Sequence, residues 1–254
     1  MITETIKNKN SLSLGKLFGV WLSSGIIVVF FSLIYIKITQ LPIEAIAHNE
    51  VIRLIQGGIL AIAAVWALST LGISIKSIRS DFNTGSEASL KLTAKYFLIY
   101  ALAAGALIGT LSLAAMIFMK LGFLTMDSFD QHYARSMAEK LAQKNYLRDV
   151  LIGSPVKFII YLFSTCVLIP IEEEILTRRL LYVSLRGKLS VAASLIISSL
   201  VFGLEHIGAA AIPAIVFGMF LGWIYEKHQN LSVNIMLHGL INFSVTLTMI
   251  FYSL

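Results

Sequence analysis

The sequence is poor in charged residues and contains almost no cysteine. Of its 254 residues, 13% are charged and 57% are hydrophobic, whereas soluble domains average about a quarter charged. The one cysteine, Cys166, excludes an intramolecular disulfide and a multi-cysteine metal site, and we expect it to pack as a small apolar residue. The composition therefore predicts an integral membrane protein.

The charges that remain are mostly basic. The chain has 20 Lys and Arg against 14 Asp and Glu, which gives a formal net charge of +6. In an apolar chain this excess suits loops that face anionic lipid headgroups. We therefore expect the bilayer to be a partner of the chain, and we do not interpret the charge as a nucleic-acid-binding surface.

The N-terminus could imitate a secretory signal, but we expect it to be a retained membrane span. Lys7, Lys9 and Lys16 precede an uncharged run over residues 17–36, and no A-x-A-like cleavage site follows it. A run of this length spans a bilayer. Basic residues in the short loops favour a cytoplasmic N-terminus. We expect the chain to be a multi-pass protein of the plasma membrane.

Seven apolar stretches predict an all-α, polytopic transmembrane helical bundle of about seven spans. They cover residues 17–36, 54–75, 96–119, 158–171, 189–204, 207–225 and 229–254. The first three contain no Asp, Glu, Lys or Arg, whereas polar groups interrupt or border the later stretches. Function is therefore expected in the second half of the chain.

This contrast divides the chain into three predicted parts. Residues 1–122 form an N-terminal transmembrane scaffold of three spans, 123–155 a connector, and 156–254 a catalytic core of four spans. In the connector, apolar residues recur every four positions from Phe129 to Leu141 among charged ones. This spacing predicts an amphipathic helix at the membrane interface, and a solvated connector and a substrate gate both remain open.

A cluster of charges interrupts the fourth apolar stretch. Glu172, Glu173 and Glu174 are followed by Arg178 and Arg179. An ionised side chain near the centre of a lipid-facing helix costs about 3 kcal/mol on insertion scales, so these residues must face protein or water. On a helix Glu174 and Arg178 can form an i,i+4 ion pair while Glu173 points about 100° away. One carboxylate is then neutralised and its neighbour stays available.

Two further polar pairs share helix faces in the later stretches. Phe202 and His206 are four residues apart, and so are His238 and Asn242. If these faces converge on the carboxylates, the bundle contains a carboxylate, two imidazoles, an amide and a guanidinium in one pocket. Such groups can activate water and stabilise an oxyanion.

These motifs resemble those of the CAAX prenyl protease and bacteriocin-processing (CPBP) family of intramembrane endopeptidases, also called Abi or Rce-type proteases. The family pattern is Glu-Glu-x-x-x-Arg, then Phe-x-x-x-His, then His-x-x-x-Asn/Asp on successive helices. It stands here as Glu173-Glu174-Ile175-Leu176-Thr177-Arg178, Phe202-Gly203-Leu204-Glu205-His206 and His238-Gly239-Leu240-Ile241-Asn242, with Pro170 as the lead-in. The resemblance covers roughly residues 157–254. Thr177 and Arg179 depart from an aromatic residue and a glycine that often flank the family's Arg.

The resemblance implies an intramembrane protease in which a glutamate activates water. By position, Glu173 corresponds to the base, His206 to its partner in holding the water, and His238 with Asn242 to the oxyanion site. Glu174 and Arg178 correspond to the supporting pair. The implied substrate is a peptide or lipid-modified protein, and prenylated tails, bacteriocin leaders and signalling peptides remain open. No cofactor is implied.

Four alternatives compete with this interpretation. The charged residues could form a structural ion-pair network between helices. Glu and two His could instead bind Zn²⁺, although no H-E-x-x-H helix is present. A transporter would also bury charges, but it predicts polar residues in two related halves. A non-catalytic membrane partner, such as an immunity or scaffold protein, would not need the complete motif set.

Overall fold

The structure, a computed structural model, describes residues 11–41, 49–72, 86–123, 145–148, 153–206 and 211–251. These residues form helices and connecting turns, and the described part contains no β-strand. The main helices are α1 (Leu14–Thr39), α2 (Glu50–Ser69), α3 (Ser86–Lys120), α4 (Pro155–Arg186), α5 (Val191–Leu204), α6 (Ala211–His228) and α7 (Leu231–Phe251). Residues 145–148 add a single helical turn.

Local sequence explains where several helices begin. The side chain of Asn49 accepts hydrogen bonds from the backbone N–H groups of Val51 and Ile52, and so caps α2. Ser154 caps α4 in the same manner, with Pro155 in the first turn where a missing N–H costs nothing. Ser190 caps α5.

The all-helical membrane bundle predicted from the composition is confirmed. Five helices, α1, α2, α3, α4 and α7, are long and apolar enough to cross a membrane, whereas α5 is an apolar helix of only 14 residues. The helix α6 has 18 residues but ends in Glu226, Lys227 and His228. A count of seven spans therefore stays a prediction. The predicted amphipathic helix between Phe129 and Leu141 lies outside the described residues.

The helix α4 carries the charged cluster in its middle and is not α-helical throughout. It is π-helical over Ser164–Leu168 and again over Ile175–Tyr182. In the first of these segments the N–H of Ile169 bonds to the carbonyl of Ser164, five residues back. The same pattern would pair the Thr165 carbonyl with residue 170, which is Pro170 and has no N–H.

The Thr165 carbonyl finds its donor on another helix. The side-chain amide nitrogen of Asn242 on α7 donates to it at 2.9 Å. A buried carbonyl without a partner is costly, so this bond ties the two helices together. Pro170 thus leaves the Thr165 carbonyl without a backbone donor, and the candidate site residue Asn242 supplies one.

Two glycines allow the helices of the second half to approach closely. A Cβ on Gly239 would lie 2.3 Å from the carbonyl oxygen of Cys166, and one on Gly203 would lie 2.2 Å from Cγ1 of Ile215. These distances are far below van der Waals contact, so α7 packs directly on the backbone of α4 at the π-helical segment. On α5, Gly203 instead makes room for the side chain of Ile215 on α6.

The packing predicts that Gly239→Ala displaces α7 from α4. We expect a loss of about 1–3 kcal/mol in the free energy of unfolding, because overpacking forces backbone shifts. Gly109→Ala is the control, since a Cβ there meets nothing within 4 Å. Thermal unfolding of the purified protein in detergent measures both, and equal midpoints for the two variants would contradict the close contact.

Candidate functional site

A cavity of about 750 Å³ lies between α1, α2, α4, α5 and α7. Its volume falls within the usual range of ligand pockets, about 300–1,000 Å³. Four of the predicted site residues line it: Glu173, His206, His238 and Asn242. The remaining two, Glu174 and Arg178, are fully buried behind the wall. The three sequence motifs therefore converge, as expected from their helix faces.

Glu174 is the centre of a buried polar network. Its Oε2 accepts from Nε of Arg178 at 3.0 Å and from Nδ2 of Asn234 at 3.2 Å, and its Oε1 lies 3.1 Å from Nδ1 of His238. Both partners in the Glu174–Arg178 pair have no exposed side-chain surface. The predicted i,i+4 pair therefore forms, and it also holds two side chains of α7.

The partners of His238 fix the orientation and the tautomer of its ring. Because a carboxylate only accepts, the Nδ1–H of His238 donates to Glu174. The other ring nitrogen, Nε2, then faces the cavity and lies 3.5 Å from Oε2 of Glu173. The rings of Phe202 and Phe217 make edge contacts with the imidazole at 6.0 and 5.1 Å between centroids.

Glu173 differs from its neighbour in forming no ion pair with Lys or Arg among the described residues, and Arg178 acts on it only at longer range. Its Oε2 is buried and accepts no hydrogen bond from any described residue, since the 3.5 Å approach of His238 does not form one. The side chain is 13% exposed and lines the cavity. Of the two adjacent glutamates, Glu174 therefore forms an ion pair with Arg178 and Glu173 forms none with Lys or Arg.

His206 is held in the same manner as His238. Its Nδ1 lies 2.9 Å from the backbone carbonyl of Phe202, so this nitrogen donates and Nε2 remains available in the cavity. The Phe202 ring packs between several site residues, 4.9 Å from the His206 ring and 5.1 Å from the Arg178 guanidinium carbon. The phenylalanine of the second motif is therefore a buried spacer that sets the distance between the charged groups.

Asn242 uses one amide proton for the Thr165 carbonyl. An amide nitrogen carries two donors, which leaves the second N–H on a side chain that lines the cavity. The same residue can therefore tie α7 to α4 and present a donor to a ligand.

Sequence reasoning missed one residue of the buried polar network and two cavity-lining residues of the first two helices. Asn234 precedes His238 by one helical turn, and this spacing was a signal that it shares the face of the third motif. Trp21 of α1 and Arg53 of α2 also line the cavity, so the interpretation of the first spans as scaffold alone is incomplete. No sequence signal marked these two residues.

A metal centre was the main competing interpretation of the site. Within the ranges that the structure describes, no three His, Cys, Asp or Glu side chains are arranged to hold a metal ion. The metal-dependent alternative stays a prediction, and we route no step through a metal. His238 instead directs Nδ1 to the Glu174 carboxylate.

Comparison with known families supports the resemblance that the motifs carry. Residues 155–244 match the family model described as type II CAAX prenyl endopeptidase, Rce1-like. This part of the chain is therefore similar to an Rce1-like domain. This domain begins at the first residue of α4, ends within α7 and contains all six predicted site residues. No curated protein and no solved structure gives a significant match.

The match to the Rce1-like family supports the interpretation of the chain as a CAAX-type intramembrane protease. This family is a protease family, and the long apolar helices that surround the domain agree with a multi-pass membrane protein. The resemblance to the CPBP family is thereby confirmed. The helices α1 and α2 complete the cavity from outside the matched region.

The two glutamates are expected to differ in their effect on stability. Glu174→Ala leaves the guanidinium of Arg178 buried without its carboxylate, which should lower the free energy of unfolding by about 3–5 kcal/mol. Glu173→Ala removes no partner from a buried Lys or Arg, so a change within about 1 kcal/mol is expected. Unfolding titrations in mixed micelles measure both values, and equal losses would refute the assignment of Glu174 to the ion pair.

Proposed function

We propose that the chain is a glutamate-dependent intramembrane endopeptidase that hydrolyses a peptide bond in a small or membrane-attached protein or peptide. The observation that carries this proposal is the position of Glu173. Its carboxylate lines a cavity together with two imidazoles and an amide, while the neighbouring Glu174 is consumed by Arg178. A carboxylate kept free of a permanent cation is available to accept a proton.

In the proposed reaction Glu173 is the general base. It takes one proton from a water in the cavity, and the oxygen of that water attacks the carbonyl carbon of the scissile bond. Nε2 of His206 accepts a hydrogen bond from the second proton of the water and so orients its lone pair. When the tetrahedral intermediate collapses, the proton held by Glu173 passes to the leaving amine, and both products depart as intact termini.

The developing oxyanion needs donors on the other side of the cavity. The second N–H of Asn242 is one, and Nε2–H of His238 is the other when that ring is protonated. Its Nδ1–H already faces the Glu174 carboxylate at 3.1 Å, which fixes the ring so that Nε2 points into the cavity. Each donor of this kind is worth about 3–4 kcal/mol of transition-state stabilisation.

The fold also suits a reaction within the membrane. The cavity wall combines these polar groups with apolar side chains such as Val28, Val29 and Leu60. Apolar surroundings strengthen the electrostatic interactions of the charged groups and limit bulk water. We propose a plasma-membrane location with a cytoplasmic N-terminus, as the basic short loops favour.

Activity is expected to depend on Glu173 and His206. Glu173→Ala and His206→Ala should each lower cleavage by at least about 10²-fold, because both hold the attacking water. Comparative proteomics of membrane and secreted peptides, with wild type against Glu173→Ala, identifies cleavage products. Glu87→Ala is the matched control, since this glutamate is 82% exposed and pairs with Lys91 far from the cavity. Undiminished turnover in Glu173→Ala would remove this residue from the mechanism.

Chelators separate the glutamate mechanism from a metal-dependent one. We expect EDTA and 1,10-phenanthroline to leave the cleavage rate of the purified protein unchanged, because Glu173 activates the water without a metal ion in the proposed mechanism. Inhibition that added Zn²⁺ reverses would favour the metalloprotease alternative. Identical peptide profiles for wild type and Glu173→Ala would favour a non-catalytic membrane partner.

A further inference from the structure

Two carboxylates line the cavity without a part in the proposed mechanism. Glu172 directly precedes Glu173 on α4, and Glu205 directly precedes His206 at the end of α5. Glu172 is only 3% exposed. Together with Glu173 they form an acidic wall, defined here as Glu172, Glu173 and Glu205.

Glu172 has no compensating partner in the part of the chain that the structure describes. It forms neither an ion pair nor a hydrogen bond there, and the charged groups that act on it are the carboxylates of Glu173 and Glu205. A buried carboxylate without a partner costs several kcal/mol unless something neutralises it.

Glu205 is held in place by the first helix. The indole of Trp21 on α1 lies beside its carboxylate and stabilises the charged form. Both residues also line a second, apolar groove of about 140 Å³ between α1 and the α4–α5 pair. Glu205 therefore lies where the groove meets the main cavity, in a position that a ligand can reach from either side.

The other charged groups that face the cavity do not balance this wall. Arg53 on α2 is the described cationic side chain that lines it, with its guanidinium 5.2 Å above the ring of Tyr161. His206 and His238 each direct Nδ1 to a fixed acceptor. Three acidic side chains therefore face one guanidinium in the cavity, and Arg178 acts on Glu173 and Glu205 from behind the wall. The low-dielectric walls strengthen the attraction of these acids for a cation that enters.

We infer that Glu172 and Glu205 bind a cationic group of the substrate, an amine or guanidinium, next to the scissile bond. This inference rests on the proposed function and adds to it a substrate class: peptides with a basic group close to the cleavage point. An extended peptide advances about 3.3–3.6 Å per residue, and Glu172 adjoins the proposed base Glu173. The basic group therefore lies within about two residues of the cleaved bond.

A cleavage experiment tests the preference. A hexapeptide library with acetylated and amidated ends is incubated with the protein in nanodiscs, and the cut sites are read by mass spectrometry. Lys and Arg should be enriched over Gln by at least about tenfold within two residues of the cut. A hydrogen bond between charged groups favours binding over a neutral one by about this factor. Glu172→Gln and Glu205→Gln should each reduce the ratio to below about threefold, and Glu87→Gln should leave it unchanged.

Two arms identify the source of the cation. A library with free N-termini and no basic side chains should be cut more slowly than the blocked Lys-containing library if the group is a side chain. Faster cutting of the free-amine library would assign the site to an N-terminal amine. Equal cutting of Lys and Gln peptides by the wild-type protein would overturn the inference while the proposed protease function stands.

A binding measurement makes the inference independent of turnover. Acetyl-Leu-Lys-Leu-amide should bind the wild-type protein at least about tenfold more tightly than acetyl-Leu-Gln-Leu-amide, and Glu172→Gln should abolish the difference. If this pattern appears without any cleavage, the cation site stands and the proposed function fails. If the two peptides bind equally, or if Glu172→Gln retains the difference, the acidic wall is no recognition site.

Discussion

The buried ion pair between Glu174 and Arg178 is the interaction on which the rest of the site depends. Both side chains are excluded from solvent, so each charge would be prohibitively costly without the other. The pair also orients Asn234 and His238 on α7. Arg178 forms its ion pair with Glu174 and not with Glu173. Glu173 lies one residue earlier, on a different face of the helix, and remains available to accept a proton.

A second constraint comes from Pro170. It removes one backbone donor from α4 at a point where the helix is already π-helical, and this leaves the Thr165 carbonyl for Asn242. Such distortions are uncommon inside helices and frequently occur at functional sites. Gly239 then allows α7 to approach the backbone of Cys166. The register of α7 on α4, and with it the position of His238, follows from these contacts.

Much of this arrangement was predictable from local sequence patterns. The apolar runs predicted helices near their observed positions, and the spacing of four residues predicted the Glu174–Arg178 pair and the cavity-facing sides of α5 and α7. Contacts between distant segments were not predictable. The Glu174–His238 bond joins residues 64 apart in the chain, and the entry of Trp21 and Arg53 into the cavity depends on how α1 and α2 pack. The π-helical segments escaped prediction because no periodicity marks them.

The central claim is that Glu173 faces a water-containing cavity inside an apolar bundle, and thiol labelling tests it most directly. With the natural cysteine removed by Cys166→Ala, Glu173→Cys and Leu102→Cys are each exposed to a charged, water-soluble methanethiosulfonate reagent in nanodiscs. The thiolate is the reactive form and needs water. We predict rapid labelling of Glu173→Cys and none of Leu102→Cys, which lies on the exposed surface of α3, a helix long and apolar enough to cross a membrane. Equal inertness of both thiols would contradict the cavity and, with it, the proposed mechanism.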